Sequence, residues 1–182
     1  MPQMVILDRD GVINHDSDDY IKSVDEWIPI PGSLEAIERL KKAGYLVTVA
    51  TNQSGIARGL YNEEVLQQIH NKMHDLLAQR GSSVDGVFYC PHAPWDNCAC
   101  RKPKPGLLFQ IAQQFDIDLS VTPFVGDTIS DIKAAEMANA IPILVRTGKG
   151  ESTIQKFPEA ADVPVYNDLA HFVDETLKTR GT

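Results

Sequence analysis

The chain of 182 residues carries 17 Lys and Arg against 25 Asp and Glu, a formal net charge of −8, with 43% hydrophobic residues. That length and balance suit one globular domain, expected over residues 1–182, and exclude a disordered chain. The acidic field argues against a main role in gripping nucleic acid or anionic lipid, although a few local cations can still hold a small anion.

In chain order, the start from Met1 to Asp8 lacks the basic and long apolar stretches of a leader, and Val5-Ile6-Leu7 predicts a first short strand. Asp8-Arg9-Asp10-Gly11 follows it. Leu34, Ile37 and Leu40 mark one face of a helix opened by Pro31-Gly32-Ser33 and closed by Gly44. Tyr45 to Ala50 predicts a second strand, followed by Thr51-Asn52-Gln53-Ser54-Gly55. A longer helix through Leu66, Ile69, Met73, Leu76 and Leu77 stops at Gly81. Gly86 to Tyr89 predicts a third strand, which runs into a loop holding all three cysteines and ends at Arg101-Lys102-Pro103. A helix through Leu108, Ile111, Ala112 and Phe115 leads to a strand over Pro123-Phe124-Val125 and then to Gly126-Asp127-Thr128-Ile129-Ser130-Asp131. Ile132, Ala135 and Ala138 mark the next helix, Ile141 to Val145 a fifth strand, and Leu169, Phe172, Val173 and Leu177 a C-terminal helix. Short strands apolar on both faces, alternating with helices, predict an α/β fold with a central parallel sheet and helices on both faces. No run approaches the ~18 apolar residues of a membrane span, so a reduced, cytoplasmic protein with no membrane partner is expected.

In such sheets ligands bind outside the carboxyl ends of the strands. Four strand ends deliver acid, hydroxyl or amide, cation, and acid to one edge. The chemistry that fits is phosphoryl transfer through a covalent intermediate, with Asp8 attacking phosphorus. Mg²⁺ and Lys102 would neutralise the charge, and Asp127 supplies a further oxygen ligand. Thr51 and Asn52 can donate to the non-reacting phosphate oxygens. Asp10 can act as general acid and then base, which calls for a raised pKa. Each motif alone has a bland explanation: a solvated turn, a helix cap, a loop lysine, a decorated helix start. Their joint occurrence, in this order and each at a strand end, makes the bland explanation improbable.

Cys90, His92, Cys98 and Cys100 place four soft or borderline ligands within eleven positions, the pattern of a closed tetrahedral zinc site in a loop over residues 90–100. With four protein ligands no position is left for water, so the ion's expected role is to fix the loop that presents Arg101 and Lys102. Asp16-Ser17-Asp18-Asp19-Tyr20 reads either as a substrate-facing loop or as solvated surface, and lacks the turn glycine of a calcium loop. His15, His70, His74 and His171 read as surface or packing residues.

These motifs resemble those of the haloacid dehalogenase (HAD) superfamily of phosphatases. Thr51 to Gly59, Cys90-Pro91-His92, Cys98 to Pro103 and Val145-Arg146-Thr147-Gly148-Lys149 resemble, within it, the D-glycero-D-manno-heptose 1,7-bisphosphate phosphatases. The resemblance spans about residues 4 to 150. It implies a Rossmann-like domain in which Asp8 is the nucleophile and Asp10 the acid/base. Mg²⁺ would be held by Asp8, Asp127 and the Asp10 main-chain carbonyl, and the phosphoryl group stabilised by Thr51 and Lys102. Arg101 would recognise substrate, with Asp16, Tyr20, Asn52, Gln53 and Ser54 as further contacts. It also implies release of the 7-phosphate from a phosphorylated sugar during supply of nucleotide-activated heptose for bacterial surface polysaccharide. Only residues 12 to 31 separate the first motif from the first helix, which implies a capless member and, by default, a monomer. Histidinol-phosphate phosphatase is the nearest competing reading, and a catalytically silent phospho-ligand binder the next. The extra cations Arg58, Arg146 and Lys149 suit a bis-anionic substrate.

Overall fold

The computed structural model describes residues 3–179, so the outermost residues of the expected 1–182 domain, Met1 and Pro2 of the expected leaderless start among them, lie outside the described residues. Six parallel strands form one sheet: β1 (Met4–Leu7), β2 (Leu46–Asn52), β3 (Gly86–Cys90), β4 (Pro123–Gly126), β5 (Ile141–Val145) and β6 (Val165–Tyr166), in the order β3-β2-β1-β4-β5-β6. The helices are α1 (Ser33–Lys42), α2 (Glu63–Ala78), α3 (Gly106–Phe115), α4 (Ile129–Met137), α5 (Gly150–Lys156) and α6 (Leu169–Lys178).

Period-two alternation along β1 divides the core. Val5 and Leu7 face one apolar layer with Leu34, Ile37 and Leu40 of α1, Ile69 and Met73 of α2, and Leu169 and Phe172 of α6. Met4 and Ile6 face the other, with Leu107, Leu108 and Ile111 of α3 and Ala134 and Ala135 of α4. Helices therefore cover both faces, as expected. β3 departs from the expected burial: as the edge strand it is half-buried until Cys90.

The order reverses at β1, which pairs with β2 on one side and β4 on the other. Leu7 stands opposite both Val49 and Val125. One or two residues further on, Asp8, Thr51 and Asp127 emerge at one edge, at the switch point where such sheets bind ligands. The segment between Gly11 and α1 is too short for a cap domain. It folds back through an antiparallel bridge between Asn14 and Pro29 and buries Val12, Ile13, Ile21 and Trp27. No helix among the described residues is long and apolar enough to cross a membrane.

Candidate active site

A cavity of about 310 Å³ opens at the switch point. Of the expected residues, Asp8, Asp10, Asp16, Tyr20, Thr51, Asn52, Ser54, Arg101, Lys102 and Asp127 line it. Arg58 and Lys149, expected only as extra cations suited to a bis-anionic substrate, line it as well, and so does Asp131, for which no site role is expected.

Lys102 is the hub. Its buried Nζ lies 3.0 Å from Asp8 Oδ1 and 2.7 Å from Asp131 Oδ1, and donates to the Ala50 carbonyl at 2.9 Å. Although burial opposes its charge, Asp131 and Asp8 raise its pKa above the ordinary lysine value. Asp131 is saturated: its other oxygen accepts from the main-chain N–H groups of Asp127 and Thr128 and from the Thr128 hydroxyl, at 3.1, 3.0 and 2.8 Å. Asp131 thus ties Lys102 to the start of α4.

Carboxylate oxygens of Asp8, Asp127 and Asp131 lie within 4.8 Å of one another. Fully ionised, three carboxylates against the single Lys102 ammonium would carry a net charge of −2, which one dication balances. Burial pushes the Asp8 carboxyl up to about 8, with Asp131 adding to the rise and Lys102 opposing it. Burial, then Asp8 and Asp131, raise Asp127 well above the carboxylate range. Asp127 Oδ2 accepts from the Lys149 N–H at 2.8 Å, whereas its buried Oδ1 has no protein partner. The backbone crowds round this carboxylate, since a Cβ on Gly11 or Gly148 would stand 2.0 or 2.3 Å from Oδ2. An orphaned oxygen, a hard-oxygen donor set and a −2 charge fit Mg²⁺. With Asp131 committed elsewhere, Asp8 and Asp127 are the side chains left to hold it.

Asp10 corrects an expectation. Burial alone would raise its pKa, but the Arg9 guanidinium and hydrogen bonds from Arg9, Asn14 and Gln53 outweigh burial and hold the carboxyl below its ordinary range. Arg9 is fully buried, with Nε and Nη2 each 2.9 Å from Asp10 Oδ1, and Asn14 Nδ2 donates to the same oxygen at 2.9 Å. Behind it, His70 Nε2 lies 3.1 Å from Arg9 Nη1. Burial, with Arg9 adding, lowers His70 to about 3, so this ring is neutral and accepts from the guanidinium. In sequence Arg9 reads as a spacer between two acids; in the fold it turns back beneath one of them.

One further expectation changes, and Asn52 gains a second task. Gln53 does not line the cavity: its amide nitrogen donates to Thr51 Oγ1 at 2.9 Å and reaches Asp10 Oδ2 at 3.4 Å, while its oxygen accepts from the buried Tyr61 hydroxyl at 2.6 Å. It braces Thr51 and Asp10 from behind. Asn52 holds the backbone of Lys102, donating to its carbonyl at 3.1 Å and accepting from its N–H at 3.0 Å. Thr51 and Asn52 belong to β2 itself rather than to a following helix cap.

Next to Lys102, the loop after β3 gathers Cys90, His92, Cys98 and Cys100 with all ligand atoms within 4.8 Å of one another. Cys90 Sγ lies 3.5 Å from His92 Nδ1 and 3.6 Å from Cys98 Sγ, and Cys100 Sγ lies 3.4 Å from His92 Nδ1. A tetrahedron built on Zn–S and Zn–N bonds has edges of about 3.5–3.8 Å, which these three separations approach; Cys100 Sγ stands only 2.9 Å from Cys90 Sγ, an edge that opens if the four close on zinc through His92 Nδ1. The thiols also organise the loop directly, since Cys98 Sγ accepts from the Arg101 N–H at 3.3 Å. Cys98→Ser is accordingly expected to lose bound zinc in metal analysis of the purified protein and to lower kcat several-fold. Full activity without zinc would refute the link between the loop and Lys102.

Comparison with known proteins agrees with this geometry. A family model described as HAD-hydrolase-like matches residues 99–172. The D-glycero-β-D-manno-heptose-1,7-bisphosphate 7-phosphatase of Pseudomonas aeruginosa is 55% identical over 175 residues, covering 96% of this chain and 98% of that protein. The protein of the same name from Bordetella bronchiseptica is 50% identical over 176 residues, covering 97% and 98%. The crystal structure of D,D-heptose 1,7-bisphosphate phosphatase from B. bronchiseptica, complexed with magnesium and phosphate, superposes with a TM-score of 0.94 at 50% identity, covering 97% of this chain and 99% of that one. That from Burkholderia thailandensis gives 0.75 at 42% identity, covering 96% and 98%. Similarity of this depth, along nearly the whole length of both partners, makes the chain a member of the D-glycero-β-D-manno-heptose-1,7-bisphosphate 7-phosphatase family of HAD-like hydrolases.

Proposed function

We propose that this chain hydrolyses the 7-phosphate of D-glycero-β-D-manno-heptose 1,7-bisphosphate, leaving heptose 1-phosphate. The observation that carries the reading is the Asp8 carboxylate at the end of β1, 3.0 Å from the Lys102 ammonium and beside the orphaned oxygen of Asp127. The names of the relatives supply the sugar and favour its β anomer.

A carboxylate oxygen of Asp8 attacks the 7-phosphorus, forming an aspartyl-phosphate as the bond from phosphorus to the sugar oxygen breaks. Asp10 gives its proton to that leaving oxygen. In the second half it takes a proton from the water that cleaves the aspartyl-phosphate, which frees phosphate and restores Asp8. Arg9 and Asn14 occupy Asp10 Oδ1, leaving Oδ2, touched only by Gln53 at 3.4 Å, as the oxygen that exchanges protons with substrate. An arriving phosphate dianion raises the proton affinity of a nearby carboxylate, which supplies the acid form that the empty site disfavours. Thr51 and Lys102 offset charge on the transferring phosphoryl oxygens. Magnesium would be held by Asp8, Asp127 and the Asp10 carbonyl, and would supply charge neutralisation and polarisation of the phosphoryl group.

Asp8, Asp10, Thr51, Lys102 and Asp127 line one cavity, so the proposed chemistry requires no second copy; the proposal is of a monomer acting in the cytoplasm. The direct test is kcat/KM for the β and α anomers of the bisphosphate beside histidinol phosphate. The β anomer is expected to exceed histidinol phosphate by at least a hundredfold; the reverse order overturns the assignment of substrate.

A further inference from the structure

Four cations line the cavity: Arg58, Arg101, Lys102 and Lys149. Lys102 is neutralised by Asp8 and Asp131. Lys149 Nζ is held by Asp16 Oδ2 at 3.3 Å and Asp18 Oδ1 at 3.7 Å. Among the described residues, neither Arg58 nor Arg101 has a carboxylate within ion-pair distance, although acids outnumber bases along the chain. Arg101 spends one N–H on the His92 carbonyl at 3.3 Å, which leaves Arg58 the freer of the two.

Arg58 is exposed, yet held on both sides. Its guanidinium carbon lies 4.8 Å from the Trp95 ring centre and 5.7 Å from that of Tyr20. Its main-chain N–H donates to the Ser54 carbonyl at 3.1 Å. Tyr20 belongs to the loop after β1, Arg58 to the loop after β2 and Trp95 to the loop after β3. Three loops from three adjacent strands thus meet at one guanidinium over the mouth of the cavity. Trp95 is 65% exposed, so no core packing accounts for its place. Two aromatic rings within cation–π distance hold a guanidinium in place without using its N–H donors, so the fork stays available to an anion.

We propose that Arg58, posed by Tyr20 and Trp95, is the specificity residue that binds the second phosphate of the substrate, the one that is not cleaved. This rests on the bisphosphate reading above. Arg58 fits that role better than Lys149, whose two carboxylates would have to be displaced or would repel the incoming dianion. A planar fork also matches phosphate oxygens bidentately.

The test is the selectivity ratio, kcat/KM for heptose 1,7-bisphosphate over kcat/KM for heptose 7-phosphate, which lacks only the second anion. Arg58→Ala is expected to lower that ratio tenfold or more, chiefly through KM of the bisphosphate, and Arg58→Lys to restore only part of it. The site is exposed, and unchanged circular dichroism and thermal melting confirm folding. A high wild-type ratio that Arg58→Ala leaves in place overturns the subsite alone. A wild-type ratio near one overturns both the subsite and the bisphosphate reading.

Discussion

Asp8→Asn is expected to lower kcat by roughly ten-thousandfold or more, the scale on which removal of a covalent nucleophile is felt. The amide keeps the shape of the side chain but offers no oxygen able to form an acyl phosphate. The variant should at the same time be the more stable protein when magnesium is withheld and the pH is high. The Asp8 carboxyl titrates from 3.8 when unconstrained and near 8 in the folded, metal-free site. Between those values the native state binds the extra proton, so stability falls as pH rises from about 4 to about 8. Asparagine removes that loss and spares Asp127 a charged neighbour. Thermal melts without magnesium should therefore show Asp8→Asn above the wild type by several degrees at pH 8, with the gap closing toward pH 4. Magnesium should raise the wild type more than the variant. Retained turnover would refute the nucleophile, and a lower melting temperature at pH 8 would refute the account of the buried charge.

The four strand-end motifs were legible because each lies within a few residues of a strand whose apolar run is unmistakable, and a parallel sheet sends all such ends to one edge. β6 and α5 were not legible. β6 has two residues, and α5 buries only Gly150 and Thr153, so neither carries an apolar period to read. Strand ends proved easier to place than side-chain directions. Gln53 follows Thr51 and Asn52 in the same polar run, yet it turns beneath the site toward Tyr61, a partner eight residues on. Arg58 and Lys149 were visible as extra cations, but sequence does not tell a cation with carboxylates from one without. Asp131 had a readable signal, since Thr128-x-x-Asp131 is a capping arrangement at the start of α4. Read as a cap alone it accounts for one carboxylate oxygen and leaves the other without a task.

That second oxygen carries the other large effect expected of this protein. Asp131→Asn is predicted to destabilise the fold by about 3–5 kcal/mol, the cost of breaking a buried ion pair by removing one partner. It should also lower kcat by roughly a hundredfold, a loss of about 2.7 kcal/mol in the transition state. A carboxylate accepts at both oxygens, and both are in use, one by the Lys102 ammonium and the other by the N–H groups of Asp127 and Thr128 with the Thr128 hydroxyl. An amide accepts at its oxygen only. If that oxygen faces Lys102, the amide nitrogen confronts the two main-chain donors at the start of α4 and pushes at the backbone carrying Asp127. If it faces the helix, the amide N–H groups confront the ammonium, which is left with Asp8 and the Ala50 carbonyl. Either orientation disturbs a group that must meet the phosphoryl oxygens or the metal. Combining Asp131→Asn with Lys102→Met separates the two contributions. Because the double variant no longer buries an ammonium short of a partner, its melting temperature should be higher than the sum of the single losses allows, while its kcat stays at the level of Lys102→Met. Strict additivity in stability would mean that Asp131 serves only as the cap of α4, and the coupling between lysine and helix would then have to be abandoned.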